Sequence, residues 1–502
     1  MNQKKYGILL SYISLITTIL TGILYTPVML RLLGQNEYGL YQLANSLVTY
    51  LSLLNLGLNG SYIKFYMREK VNGDEQSVAR INGMFLLLFC VISLISIIIG
   101  IVLVTNIRIL GNNYSNADYK LIQYLMIFMI INMAISFPNT LFASYMSACE
   151  DFVFQRVIGL ITNILIPVIN IPILYCVYGS RGMVTFATIL TIIKFIINIW
   201  YCFSKLQISF LFHGFHSEIF RELANFTFFI FLSDLVDQLN QNVDKLLLGK
   251  ILGAVSVAIY SVAYSIKTYF TQISWAIPEV YIPEVNALTE EKAYKKINNV
   301  FVRTGRMSNI VLAPIVIGFI IFGQKFINLW AGVEYAEAYW VTVILLISAC
   351  IPALQSIGVN IQNAMNMHRM RSIVYFGVAI GNVILSIQLI PRFGVVGTAM
   401  GTLIAIVLGN GLFMNIYYQK KIGLNIIEFW KQIARMCWAM FPATVCGIIL
   451  RTLMPQQKWA ILFVQLFLFV LIYVGTMWKF GLNDEEREIG KKGFRKLVNK
   501  FR

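Results

Sequence analysis

Apolar residues fill this chain in long blocks of about 20 or more, separated by short polar connections. At 1.5 Å of rise per residue, each block is long enough to cross a hydrocarbon layer about 30 Å thick. The pattern predicts an all-α membrane protein of about fourteen spanning helices. To within a few residues, the first six run 7–32, 39–63, 81–105, 119–147, 152–177 and 183–204. The rest run 222–250, 254–287, 301–330, 338–366, 370–391, 395–418, 432–452 and 457–479. Several exceed one straight crossing, so tilt, or kinks at Pro278 and Pro314, are expected. The first block follows Met-Asn-Gln-Lys-Lys but is too long for a signal peptide and no small-x-small cleavage site follows it, so it is expected to be retained.

Composition agrees: 58% of the 502 residues are apolar, only 13% are charged, and mean hydropathy is +0.71. Little soluble mass is left. Basic residues in short loops are held on the cytoplasmic side; an inside N-terminus puts roughly 28 of the 40 Lys and Arg there and about 9 in outer loops. Both termini are therefore expected in the cytoplasm, with the chain in a bacterial inner membrane. Anionic lipid headgroups, rather than nucleic acid, answer the net charge of +17. The seven Cys residues are scattered with no C-x-x-C pair, so neither a disulfide nor a metal is expected. His213 and His216 have the wrong spacing for a helical zinc pair.

Two matches reveal an internal repeat. LLGQNEYGLYQLA (Leu32–Ala44) aligns with ILGAVSVAIYSVA (Ile251–Ala263), pairing Gly34 with Gly253, Tyr41 with Tyr260 and Ala44 with Ala263. YGSRGMV (Tyr178–Val184) aligns with FGVVGTA (Phe393–Ala399) at nearly the same offset. The chain is expected to comprise two pseudo-symmetric six-helix lobes, 1–212 and 213–430, a helix pair, 431–480, and a basic tail, 481–502. Six is even, so both lobes insert the same way up around a central cavity. The tail puts Phe494, Leu497, Val498 and Phe501 on one stripe, which suits either a helix on the membrane surface or a solvated end.

The seventh block carries the candidate chemistry. Asp234, Asp237, Gln241 and Asp244 fall on one helical face, with Gln238 and Lys245 beside them. A charge at the bilayer centre costs about 2.5 to 3.5 kcal/mol, so this stripe must face protein or water. Intramembrane carboxylates commonly carry a coupled proton or sodium ion, which assigns that role to Asp234, Asp237 and Asp244. Lys267, Lys194 and Lys64 are the membrane-level cations, although Lys64 and Lys194 are also placed to snorkel. The tenth block adds Asn360, Gln362, Asn363 and Asn366, suited equally to interhelical hydrogen bonds and to a substrate. No nucleotide-binding, nucleophile-elbow or zinc motif is present, so an ion gradient is the expected energy source and no cofactor or enzyme chemistry is expected.

At LLGQNEYGLYQLA, LNLGLNGSYIKFYMREKVNGDE and NQNVDKLLLGKILG the chain resembles the Wzx-type polysaccharide flippases of the multidrug/oligosaccharidyl-lipid/polysaccharide superfamily, over about residues 1–420. The resemblance implies a V-shaped, MATE-like pair of lobes. It also implies a polyprenyl-pyrophosphate-linked oligosaccharide substrate, passed from inner to outer leaflet by alternating access. The family's basic position at the end of the second span falls on Lys64, and its Asp-Lys pair on Asp244 and Lys245. Lys64, Lys267 and Lys194 would then meet pyrophosphate, and Gln238, Gln241 and Asn363 the sugars. A polysaccharide polymerase or chain-length regulator is the expected protein partner, and membrane lipid the surrounding one. Three readings compete: a multidrug antiporter, which the Asp stripe favours and Lys267 disfavours; a lipid II or sporulation-type flippase; and a membrane-embedded polymerase, which would need a large outer loop.

Overall fold

The computed structural model describes residues 3–491 except 72, 112, 214–216, 366, 368, 489 and 490. His216, Asn366 and the apolar stripe of the tail therefore lie outside the described residues. Helices dominate, and there is no strand among the described residues. In the first part they are α1 (Gln3–Thr49), α2 (Leu58–Val71), α3 (Glu75–Thr105), α4 (Asn116–Ala148), α5 (Phe152–Tyr175), α6 (Gly179–Ser204) and α7 (Ser217–Ile251). There follow α8 (Ala254–Glu279), α9 (Ile282–Glu290), α10 (Tyr294–Trp330), α11 (Ala338–Leu354), α12 (Ser356–Ala364) and α13 (Arg369–Ile406). Two π-helical stretches then flank the short α14 (Asn415–Tyr417), and α15 (Ile426–Leu453) and α16 (Trp459–Thr476) complete the order. Contacts divide the chain into two compact units, Met1–Ser261 and Val262–Arg502, a division that places α7 with the first unit.

Among the described residues, ten helical stretches are long and apolar enough to cross a membrane. Two of these, Ile13–Val71 and Met370–Ile422, each contain two of the expected spans. α7 and α8 are more polar and fall outside the ten. Leu24, Ile98, Trp438 and Phe467 are among the many large apolar side chains left exposed, as a lipid-facing surface requires.

The repeat glycines share a conformation. Gly34, Gly253, Gly179 and Gly394 have φ of 71°, 93°, 56° and 58°, in the left-handed region open to residues without a Cβ. Gly34 and Gly394 kink α1 and α13, Gly253 joins α7 to α8, and Gly179 opens α6. In the first unit the Gly34 turn is fixed by Glu37, which accepts hydrogen bonds from the Ser180 backbone N–H (2.6 Å) and hydroxyl (2.7 Å), just after Gly179.

Some expectations need correction. The second span is not one helix, because it breaks between α1 and α2. The eighth, expected over 254–287, breaks just past Pro278, with α8 ending at Glu279 and α9 starting at Ile282, but α10 runs on through Pro314. The tenth is divided at Gln355, whose amide donates to Asn415 Oδ1 at 2.5 Å. Nor is the start of the tail free. Arg306 of α10 donates from Nε and a terminal nitrogen to the two oxygens of Glu486, both at 2.7 Å, and also to the Gly481 carbonyl at 3.0 Å. Arg306 and Glu486 are 8% and 5% exposed, so the tail is clipped to the second unit by a buried bidentate ion pair.

Helix ends inside the bundle also find partners. Lys325 donates from Nζ to the Met454 carbonyl at 2.5 Å, and Gln465 donates to Leu450 and Met454, which closes the C-terminus of α15. In the first unit, Asn113 donates to the carbonyls of Lys250 and Ile251 and Tyr114 to that of Gly249, closing the end of α7.

Arg306→Met alone strands the Glu486 carboxylate and is expected to cost roughly 3 to 5 kcal/mol. The pair Arg306→Met with Glu486→Met should recover most of that. Thermal unfolding of the purified protein in detergent compares them, and a single variant as stable as wild type would show that the clip contributes little.

Candidate functional site

The site begins at a break in a helix. After Thr49 the chain tightens into a 3₁₀ turn, Tyr50–Asn55, then passes through Leu56 (φ 49°) and Gly57 (φ 65°) before α2 resumes. The sequence N-L-G-L-N-G supplies the reason: Gly57 takes a left-handed conformation at no steric cost, and the Leu56 N–H turns back to the Leu53 carbonyl at 3.2 Å. Irregular backbone at membrane depth survives only where protein or a cavity surrounds it. Here α7 lies against the break. A Cβ at Gly57 would overlap the side chain of Ile230, so glycine also sets how closely the two elements approach.

Beside this contact is a cavity of about 430 Å³. Ser52 and Asn55 line it from the broken segment, Ser136, Phe137 and Thr140 from α4, and Asp234, Asp237, Gln238 and Gln241 from α7. Gln238 reaches toward the Ser52 hydroxyl at 3.4 Å and accepts from Asn242 at 2.8 Å. The Asn55 amide oxygen is buried without a hydrogen-bond partner among the described residues. Among the described residues that line it there is no lysine or arginine. Two carboxylates among hydroxyls and amides can hold a proton or a small cation, and can hydrogen-bond the hydroxyls of a sugar; they would repel a phosphate.

The rest of the α7 stripe separates from this cavity. Asp244 is 1% exposed and accepts a 2.6 Å hydrogen bond from Tyr260, and Lys245 next to it is 8% exposed. Asp244 does not line the cavity with Asp234 and Asp237. Tyr260 is the repeat partner of Tyr41, so the sequence match marked the residue without showing its role.

The cations are dispersed. Lys64, two turns into α2 from the break, pairs with Glu222 of α7 at 3.1 Å, and Arg68 pairs with the other oxygen of the same carboxylate at 3.0 Å. These side chains are 42–52% exposed, a setting in which an ion pair is worth about 0 to 1 kcal/mol. Arg68 and Glu222 were missed in the sequence; the i, i+4 spacing of Lys64 and Arg68 was the available signal. Lys194 is half-buried on α6. Lys267 is half-buried in the second unit, its ammonium 4.8 Å from the Tyr264 ring centroid. Asn363 is exposed, while Gln362 is fully buried with neither amide atom hydrogen-bonded among the described residues. His213 is exposed, and no group of three metal-ligating side chains gathers among the described residues.

An apolar helical bundle with glycine-turned repeats and a polar cavity against a broken span defines a multi-pass membrane transporter of MATE-like fold. A structure titled "Lipid II flippase MurJ, inward closed conformation" shares that fold at TM-score 0.72 and 16% identity, over 95% of this chain and 98% of its own. An inward-facing multidrug resistance MATE family transporter of the MOP superfamily aligns at TM-score 0.67 and 13% identity, covering 80% of this chain and 94% of its own. Residues 28–340, more than half of the chain, match the family described as polysaccharide biosynthesis protein, and the chain belongs to it, among the Wzx-type polysaccharide flippases. A Shigella flexneri protein named "Putative O-antigen transporter" is 21% identical over 77% of this chain and 91% of its own length. Haloferax volcanii's "Probable flippase AglR" is 24% identical over 33% of this chain and 36% of its own.

Gly57→Ala is expected to destabilise the protein by about 2 kcal/mol or more, from left-handed strain plus overlap with Ile230. Adding Ile230→Ala removes the Cγ2 and Cδ1 overlaps but keeps the Cβ at 2.8 Å, so it should restore only a share of the loss due to overlap and none of that due to strain. Melting temperatures in detergent read both, and a Gly57→Ala protein with wild-type stability would contradict the close packing.

Proposed function

We propose that this flippase moves a polyprenyl-pyrophosphate-linked oligosaccharide, a capsule, exopolysaccharide or O-unit precursor, from the inner to the outer leaflet by ion-coupled alternating access. The observation that carries the reading is the division of charge on one pair of elements. The described lining of the cavity between the broken second span and α7 consists of carboxylates, hydroxyls, amides and apolar groups, while the far end of α2 carries Lys64 and Arg68. A sugar unit suits the first environment and a pyrophosphate the second.

In this mechanism Asp234 and Asp237 take up the proton or sodium ion that neutralises the cavity, and Gln238 and Gln241 hydrogen-bond the sugar hydroxyls. Asp244, enclosed with Tyr260, belongs to the same acidic stripe and holds α7 in place. Lys194 and Lys267 are assigned to the pyrophosphate path and Asn363 to the sugar path. The protein works in the bacterial inner membrane with both termini in the cytoplasm, as a transporter and not an enzyme, and hands its cargo to a polysaccharide polymerase or chain-length regulator. The lobes that alternate are 1–212 and 213–430. An acidic cavity also favours one second reading, a multidrug or cation antiporter.

Surface polysaccharide in a deletion strain decides between them. Deletion should abolish it and wild type restore it, while Asp237→Asn and Lys267→Ala, expressed normally, should each lower it at least about tenfold, the scale of losing one intramembrane charge interaction. Undiminished polysaccharide with Asp237→Asn would refute the coupling role. Unchanged polysaccharide in the deletion, together with drug resistance on overexpression, would establish the antiporter.

A further inference from the structure

We infer that Glu222 is the internal occupant of an anion site formed by Lys64 and Arg68, and that a phosphate-bearing headgroup binds by taking its place. The two cations stand one turn apart on the same face of α2. One carboxylate, from a different helix, bridges them with one oxygen on each, at 3.1 and 3.0 Å. A phosphate or pyrophosphate offers the same paired oxygens at the same spacing with more negative charge.

The neighbouring carboxylate is not equivalent. Glu69 lies beside Arg68 on α2 itself and takes its Nε at 3.2 Å, leaving the terminal nitrogen that faces Glu222 available for exchange. Half-exposed side chains admit a solute, and exposed ion pairs are weak enough to be displaced. Displacement has a mechanical result, because Glu222 starts α7 while its neighbour Leu223 is buried in the core that includes Tyr62 and Phe65 of α2. Filling the site with a headgroup therefore breaks the Glu222 ion pairs between α2 and α7 and leaves in place the apolar contacts at Leu223 and at Gly57 with Ile230, about which α7 can pivot.

The identity of the headgroup rests on the flippase reading, whereas the existence of the site does not. The test is titration of inorganic pyrophosphate, and separately of farnesyl diphosphate, into full-length protein in phosphatidylcholine nanodiscs, followed by calorimetry. Glu222→Gln should tighten both about fivefold by removing the competitor, and Arg68→Gln should weaken both by a similar factor or more. Farnesyl diphosphate binding that responds while inorganic pyrophosphate does not would assign the site to lipid-borne phosphate; response of both would assign it to the phosphate group itself. The double variant Lys64→Gln with Arg68→Gln removes both cations and should lose pyrophosphate binding. Unchanged or weakened binding in Glu222→Gln, or full binding in that double variant, would overturn the inference. Normal surface polysaccharide in the deletion strain would instead overturn the flippase reading and leave the anion site standing.

Discussion

Hydrocarbon offers no hydrogen bonds, and most of this structure follows from that. Every backbone amide and every charge placed at membrane depth has to be answered by the protein. The result is a helical chain that leaves regular helix only where something else meets the freed backbone groups. The chain passes Leu56 and Gly57 against a polar cavity and α7, and the carbonyl ends of α7 and α15 meet Asn113, Tyr114, Lys325 and Gln465.

The same constraint sorts the charges. Arg306 and Glu486 neutralise each other where both are enclosed, and Asp244 is enclosed with a tyrosine hydroxyl and sits next to Lys245. Asp234 and Asp237 meet a cavity instead, and Lys64 and Arg68 lie at an exposed end. Along the second span, the two cavity carboxylates stand beside the break, while the Lys64 and Arg68 cations lie further along α2, where Glu222 answers both.

Much of the fold was legible because it rests on local signals. Block length gave the spans, and the repeat matches contain four glycines that the structure places in the left-handed region. The stripe on α7 was legible as a face, and three of its members, Asp234, Asp237 and Gln241, do line one cavity. What stayed hidden depends on residues distant in sequence. Asp244 sits on the same stripe, yet Tyr260 sixteen positions on takes it up. The break at Leu56–Gly57 lies inside a stretch long enough for one span, so block length passes over it even though Asn55, Gly57, Asn59 and Gly60 mark the place. Lys64 reads as a lone cation until Glu222, 158 positions away, is brought beside it.

The Arg306–Glu486 clip also has a consequence for how the protein is made. The two residues are 180 positions apart, and Glu486 follows α15 and α16 in the chain. Arg306 is therefore synthesised long before the carboxylate that answers it, and α10 waits for that partner until α15 and α16 have been made. Closing the second unit thus joins an early helix to a late segment, so a chain lacking Glu486 would keep α15 and α16 yet leave the enclosed Arg306 charge without its carboxylate.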